Sequence, residues 1–462
     1  MAFKEYKGLD LVATGNEVLD RWKKNHAFEK SLELREGAPE FIFFEGPPSA
    51  NGMPGIHHVM ARSIKDAICR YKTQSGYKVN RRAGWDTHGL PVELGVEKML
   101  GITKEDIGTK ISVEEYNDAC RKEVMKYTAE WVNMTERVGY WVDMDDPYIT
   151  YDNRYIETLW FLLKKIYDKG LLYKGKSIQP YSPAAGTGLS THELNQPGCY
   201  RDVKDTTATA QFKVVRDEKS EFLFAEGVQP YFLAWTTTPW TLPSNTALCV
   251  GPNIDYVRVL STNPYTGVPG LYIVAQALVG AHFNPKKQEF TVLEGTLKGS
   301  ELTGIRYEQL IPWFNPGEGA FKVIPGDYVT TEDGTGIVHI APTFGADDAK
   351  VARLAGVPGL QVVDRNGDLQ AQVDLRGRFF RIEDLDPEYA AANMAPEYAE
   401  WAGRYVKNAY DASLPADAPT LDVDLCVMLK QQNKAFRIEK HTHNYPHCWR
   451  TDKPVLYYPL NS

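Results

Sequence analysis

Two groups of residues in this 462-residue chain have the types and spacing to do chemistry. The first is Gly46-Pro47-Pro48-Ser49-Ala50-Asn51-Gly52, followed by Gly55-Ile56-His57-His58 at a predicted helix start. A helix N-terminus has free N–H groups and about half a positive charge, so it takes polyphosphate readily. Imidazoles in the first turn can donate to phosphate oxygens, more strongly when protonated. Two ordinary polar residues opening a helix would look the same. The second group is "RRAGWDTHGLPVELGVEK", residues 81–98, where Asp86 stands between glycines. Its carboxylate could receive an ammonium group, or it could cap a turn. A third stretch, Thr236-Thr237-Thr238, reads by itself as plain β-propensity.

Such residues need a scaffold. Phe41-Ile42-Phe43-Phe44, bounded by Pro39 and Gly46-Pro47-Pro48, predicts a buried strand entering a loop. Residues 57–76 then show helical spacing, with Val59, Ala61, Ile64, Ala67 and Ile68 as the apolar face and Gly76 as the stop. Strand, glycine-rich loop and helix make the first unit of a nucleotide-binding α/β sheet. Residues 112–175 carry Tyr127, Trp131, Tyr155, Trp160 and Tyr167 at helical spacing, which predicts core packing in a helical section. From about 206 to 440, stretches such as "TTATAQFKVV", "LYIVAQALV" and "GTGIVHIAP" predict a separate β-rich domain. The chain ends just after a predicted strand, as a cut chain would.

The length calls for two or three domains. With 43% apolar and 24% charged residues, the balance is that of a soluble globular protein. No run reaches the roughly 18 apolar residues of a membrane span. The N-terminus lacks the apolar core of a secretory signal, so the expectation is a cytoplasmic protein with no membrane partner. Six cysteines without a Cys-x-x-Cys pair argue against a disulfide scaffold or a self-contained zinc knuckle. A net charge of −8 does not mark a nucleic-acid binder, but it leaves room for a local basic face. Arg70, Lys72, Lys78, Arg81 and Arg82 form either such a face or a solvated helix end.

Taken together, "GPPSANG", the histidine-bearing helix start and "GWDTHGLPVE" about thirty residues later resemble the class I aminoacyl-tRNA synthetases, and among them the isoleucine enzymes. "WTTTPWTLPSNTAL" (235–248) and "GTGIVHIAPTFGADDAKVA" (334–352) resemble the two signatures of the editing domain inserted in those enzymes. Leucine and valine relatives would be expected to carry arginine where this chain has Thr238. The resemblance covers essentially all 462 residues and implies the N-terminal part of a longer enzyme. The implied fold is α/β: the first half of a class I synthetase Rossmann-type catalytic domain with an inserted β-rich editing domain. The implied segments are an N-terminal extension over 1–45, catalytic domain over 46–202, editing domain over 203–440 and a return to the catalytic domain over 441–462.

The resemblance implies ATP-dependent ligation of isoleucine to its tRNA through isoleucyl-adenylate, with Mg2+ accompanying ATP, by a monomer. Gly46 and Pro47 would line the amino-acid pocket, and Asp86 would pair with the substrate ammonium. Gly55, His57 and His58 would bind ATP, the two histidines acting at its phosphates. In the editing domain, Thr236, Thr237, Thr238 and His339, with Asn245 beside them, would position an ester and the attacking water. Asp348, rather than Asp347, would hold the α-ammonium of a misattached valine. Valine lacks one methylene of isoleucine, which discriminates by only about 1–3 kcal/mol, a limit for which the isoleucine enzymes are themselves the standard illustration. Hydrolysis of Val-tRNA in a second pocket would supply the rest. Two rival readings are a free-standing editing deacylase and an inactive tRNA-binding regulatory fragment.

Three departures from the family pattern stand out. The helix-start signature is usually His-x-Gly-His, whereas here Gly55 and His57 are exchanged and only His58 keeps its usual place. The displaced histidine should crowd the adenine face unless the loop shifts. The expectation is that it shifts, that ATP activation survives, and that inhibitors mimicking the adenylate bind less well. Where relatives often carry two Cys-x-x-Cys pairs, this chain has Ser182 and Ala185, then Cys448 and Thr451, so zinc is not expected. Finally, the "KMSKS" loop, the second half of the catalytic sheet and the anticodon-binding domain are absent. The 462-residue chain is therefore expected to hydrolyse Val-tRNA weakly and not to charge tRNA.

Overall fold

The computed structural model describes residues 8–462 except 225–226, 287 and 416–417, so residues 1–7 of the expected N-terminal extension lie outside the described residues. Chain contacts define two compact units, Met1–Tyr173 and Lys174–Ser462. No described helix is long and apolar enough to cross a membrane.

The first unit contains helices α1 (Leu11–Lys24), α2 (Ala27–Glu33) and α3 (Ile56–Gln74), then strand β1 (Arg82–Trp85). Helices α4 (Leu90–Leu100), α5 (Val113–Val124) and α6 (Thr128–Arg137), strand β2 (Asp143–Ile149) and helix α7 (Asn153–Asp168) complete it. β1 and β2 pair in parallel, with Trp85 opposite Ile149. The Tyr148 ring lies so close to Gly84 that an added Cβ would meet it at 2.2 Å. Gly76 does stop α3, at a φ of +94° that side chains disfavour.

Several sequence expectations change here. Residues 41–44 form no strand and none of them is buried. They follow a single parallel bridge between Glu40 and Lys78, and Ile42 and Phe44 are 68% and 91% exposed. On α3 the inward side is Arg62, Cys69 and Thr73, whereas Ile64 and Ile68 of the expected apolar face are exposed. Ion pairs account for this reversal. Asp66 accepts from both Arg70 and Arg81, and Arg81 also donates to Thr73, so the polar side of α3 is drawn in. The expected core packing of aromatics holds for Trp131, but Tyr155, Trp160 and Tyr167 on α7 are exposed. The basic cluster is occupied within the fold. Besides the Asp66 pairs, Lys78 meets Glu36, Arg82 meets Asp146, and Lys72 lies over the rings of Phe41 and Tyr77.

The second unit is β-rich. Its main strands are β3 (Lys176–Ser182), β4 (Tyr200–Lys213), β5 (Pro230–Thr236), β6 (Ala247–Val250), β7 (Asp255–Thr262), β8 (Pro269–Ala275), β9 (Lys322–Pro325) and β10 (Ile337–Ile340). Helices α8 (Ala346–Leu354) and α9 (Leu421–Gln431) and strands β11 (Ala435–Pro446) and β12 (Leu456–Asn461) follow. The large sheet runs β7-β8-β5-β4-β11, with short strands at the β7 edge, and a smaller one runs β9-β6-β10. β3 pairs with β12. Strands such as β8 are apolar on both faces because both are covered. Phe212, Phe232, Tyr272, Phe283 and Phe436 meet in the resulting core. β4 and β11 pair from Tyr200–Pro446 through to Ala210–Ala435, so the expected domain limits at 202/203 and 440/441 both fall inside this ribbon.

Truncating Phe212, fully buried, to alanine should cost about 3–5 kcal/mol of stability in urea unfolding. Trp160→Ala, at an exposed site, should stay within about 0.5 kcal/mol. Equal losses would contradict this division between core and exposed face.

Candidate active sites

The N-terminus of α3 is organised by its own first turn. Gly55 is the N-cap, in extended conformation, and its N–H donates to His58 Nδ1 over 2.9 Å. A neutral His58 therefore carries its proton on Nε2. Burial, then the proximity of His57, Arg62 and Lys65, lowers its pKa and favours that neutral form. The rings of His57 and His58 lie 3.8 Å apart, and His58 rests 4.6 Å from the Trp131 ring. Trp131 Nε1 donates to Gly52 O at 2.9 Å, and Tyr127 N–H donates to Ala50 O at 3.0 Å, so α6 holds the glycine-rich loop. The exchange of Gly55 and His57 has a local consequence. A Cβ at residue 55 would lie 2.9 Å from His57 Cε1, so the His57 ring folds back into the space that a side chain at 55 would enter.

A cavity of about 380 Å3 joins Gly46, Asn51, His58, Arg62 and Lys65, with Trp131 as a wall. Pro47, Gly55, His57 and Asp86 do not line it. His58, Arg62 and Lys65 share one face of α3 by their spacing of four and three, a signal present in the sequence. Arg62 lies over the rings of Trp131 and Tyr140, while Lys65 and the Tyr140 hydroxyl both meet the Glu45 carboxylate. Asp86 is exposed, and its N–H donates to Pro48 O at 2.9 Å, which joins the two glycine-containing turns. As a turn cap it is weak, since Oδ1 is 3.4 Å from His88 N.

The second site is set by strand register. β6 and β10 run antiparallel with Leu248 opposite His339 and Ala247 opposite Ile340, and the Asn245 side chain, just before β6, reaches His339 on β10. After Thr238 the chain makes a 3-10 turn over Pro239–Ser244, whose three-residue period brings Thr241 back beside Thr238. Thr241 Oγ1 donates to Thr238 O at 2.8 Å and accepts from His339 Nε2 at 3.0 Å. The Asn245 amide faces His339 Nδ1 at 3.4 Å, donates to Ala247 O at 2.8 Å and accepts from Tyr307 OH at 2.7 Å. Burial lowers the His339 pKa to about 4, so the ring is neutral at pH 7. With protein partners at both nitrogens, His339 orders the site rather than offering a free base.

Asp348 lies in the first turn of α8, and its Oδ2 accepts from Ala341 N–H at 2.8 Å. The carboxylate folds over Gly345, where an added Cβ would meet Asp348 Cγ at 2.6 Å. Burial raises its pKa to about 6, whereas neighbouring Asp347 is exposed. A cavity of about 380 Å3 brings together Thr236, Thr237, Thr238, His339 and Asp348, with Trp235, Thr241 and Tyr328 also in its wall. Asn245 does not line it but is buried behind His339. Chemically the cavity presents the carboxylates of Asp348 and of exposed Asp333 together with several hydroxyls, which suits a small cation attached to a polar, hydrogen-bonding group. Thr241, Tyr328 and Tyr307 were not singled out from sequence. Only Thr241 had a signal there, three residues beyond Thr238 after a proline.

Among the four positions weighed for zinc, Ser182 and Cys448 are fully buried, and Ser182 Oγ accepts from Ala185 N–H at 3.2 Å. Burial alone would raise the Cys448 thiol pKa, but hydrogen bonds from Thr451, Arg450 and Ser182 outweigh it and lower the pKa. One thiol, two hydroxyls and a methyl group do not fit a tetrahedral zinc site.

These features are those of a known class. Residues 17–334 match the family model described as tRNA synthetases class I (I, L, M and V), and the chain belongs to that family. Within it, the whole chain is 65% identical to an isoleucine–tRNA ligase of Bacteroides fragilis and 64% identical to one of Porphyromonas gingivalis. It covers 41% and 42% of those proteins, so it spans about two fifths of the length of the curated relatives it matches. A solved editing domain of the P. falciparum cytosolic leucyl-tRNA synthetase aligns at 13% identity over 35% of this chain and 75% of that one, with a TM-score of 0.27, too slight to argue from. The fold is accordingly that of a class I synthetase, an α/β catalytic part with a β-rich insertion.

Burying Asp348 has a measurable consequence. A pKa raised from 3.8 to about 6 means that the folded state binds this proton more tightly than the unfolded state. The contribution to stability is complete below pH 4 and is lost as pH rises through 6, so at pH 7 the ionised group destabilises the fold. Asp348→Asn, which keeps an acceptor for Ala341 N–H, should be more stable at pH 7 by up to about 3 kcal/mol. The gain should vanish by pH 4. Urea unfolding of both proteins at the two pH values measures this, and a gain independent of pH would contradict it.

Proposed function

We propose that this chain carries the amino-acid activation residues and the proofreading hydrolase of an isoleucine–tRNA ligase. The observation that carries the reading is the second cavity, where the threonine run and Asp348 converge from separate elements. In synthesis, an isoleucine carboxylate oxygen attacks the α-phosphorus of ATP, and pyrophosphate leaves. A tRNA ribose hydroxyl then attacks the acyl carbon, and AMP leaves. Asp86 pairs with the isoleucine ammonium, and Gly46 and Pro47 shape its pocket. The α3 N-terminus, with Gly55, His57 and His58, receives the ATP phosphates, and Mg2+ bound with the nucleotide would supply further counter-charge. His58 Nε2–H and Arg62 give that face of α3 donors for an anion, with Lys65 beside them paired to Glu45, which lines the same cavity.

In proofreading, ionised Asp348 holds the α-ammonium of valine esterified to tRNA. Thr236, Thr237 and Thr238 orient the ester and the water that attacks its carbonyl carbon, and the ribose hydroxyl leaves. His339 and Asn245 support the threonine turn through Thr241. The reaction would take place in the cytoplasm, in a monomer without structural zinc.

Val-tRNA hydrolysis by the 462-residue chain tests the proofreading half. Asp348→Ala should lower it about 100-fold or more, because an electrostatic contact made at the reacting group is lost. For the synthetic half, isoleucine-dependent ATP–pyrophosphate exchange should be measured on the longest natural protein that contains this chain. His58→Ala should reduce exchange by about 100-fold. Gly55→His should be more harmful alone than with His57→Gly, because alone it meets the His57 ring. Hydrolysis without any exchange in that natural protein would favour the free-standing deacylase.

A further inference from the structure

We infer that Asp422 is a positioning residue of the proofreading cavity, acting through the Trp240 peptide N–H on the turn that carries Thr241. The inference rests on the proofreading role proposed for that cavity. Asp422 is 2% exposed, in the first turn of α9, far in sequence from every residue that lines the cavity. Its Oδ1 accepts from Trp240 N–H at 2.8 Å. That peptide lies between Thr238, whose carbonyl accepts from Thr241, and Thr241, whose oxygen accepts from His339. The Trp240 ring is also buried, edge-on to Phe344 in the cavity wall at 5.0 Å. The turn is thus held from two sides: His339 on β10 engages its hydroxyl, and Asp422 on α9 engages its backbone.

A simpler role for Asp422 would be to neutralise the buried Lys407. The distances favour the peptide. Lys407 Nζ lies 3.8 Å from Asp422 Oδ2 but 2.9 Å from Asp205 Oδ2 on β4, and Asp205 also meets His443 Nε2 at 3.2 Å. Lys407 therefore has its nearer carboxylate in Asp205, while the short bond of Asp422 is to Trp240. An N–H in the middle of a buried turn has no water to replace that acceptor. Without it the turn would loosen, and Thr238 and Thr241 would lose their fixed separation.

The experiment compares Asp422→Asn with Asp422→Ala in the 462-residue chain, reading kcat and KM for Val-tRNA hydrolysis, amide exchange at Trp240, and the thermal melt. The Asn side chain still offers an oxygen to the peptide, so this variant should keep kcat and a protected Trp240 amide. The Ala variant should lose about 100-fold in kcat with KM little changed, and its Trp240 amide should exchange faster. Unchanged kcat in the Ala variant, or an equal loss in a folded Asn variant, would overturn the inference. If the Ala variant does not fold, the Asn variant decides: retained kcat with a protected amide supports the role, and loss of either overturns it. Should the unmodified chain fail to hydrolyse Val-tRNA, the proofreading reading falls, and amide protection in the two variants still reports whether Asp422 holds the turn.

Discussion

The β-rich unit depends on the pairing of β4 with β11. These strands are far apart in sequence, yet they run antiparallel from Tyr200–Pro446 to Ala210–Ala435. Closing a long loop costs entropy that grows only with the logarithm of its length. A large insertion is therefore tolerable provided that its two ends are held side by side, and the ribbon does this. It also seeds the large sheet, because β5 pairs onto β4 and β8 onto β5. Every residue that lines the second cavity lies between those two strands in sequence.

That cavity shows how a polar site is kept inside an apolar unit. His339, Asn245 and Tyr307 are buried, and each has a hydrogen-bonding partner in the others or in the backbone. Burial keeps His339 neutral, while it leaves Asp348 an acid whose ionised form is poorly solvated. A carboxylate held this way gains from meeting an ammonium group, since pairing offsets the lost hydration. The strain between stability and chemistry is thus concentrated on one residue.

The first unit illustrates what could and could not be read from the chain. The glycine-rich loop and the helix opening at His57 and His58 were legible, because apolar spacing marks the helix and Gly76, at a positive φ, ends it by backbone geometry. Which face of that helix turns inward was not. Apolar periodicity pointed to Ile64 and Ile68, but Asp66 gathers Arg70 and Arg81 from different parts of the chain and turns the polar side in. The same gathering engages Arg70 and Arg81, two members of the basic cluster that sequence left open between a basic face and a solvated helix end. On α7 the aromatic spacing is truly helical, but spacing says nothing about whether a partner covers it.

By itself the sequence determined the family, the order of its two signatures, and the residue types available for chemistry, because those are properties of local pattern. It also marked Thr236–Thr238, His339 and Asp348, through motif resemblance rather than through any local physical requirement. Only the tertiary structure decided that Asn245 stands behind His339 instead of in the cavity, and that Thr241 joins the site. It alone showed that the His57 ring turns back over residue 55. Such outcomes depend on strand register, on burial and on side-chain contacts between distant segments, and none of these is encoded in the spacing of residues along the chain.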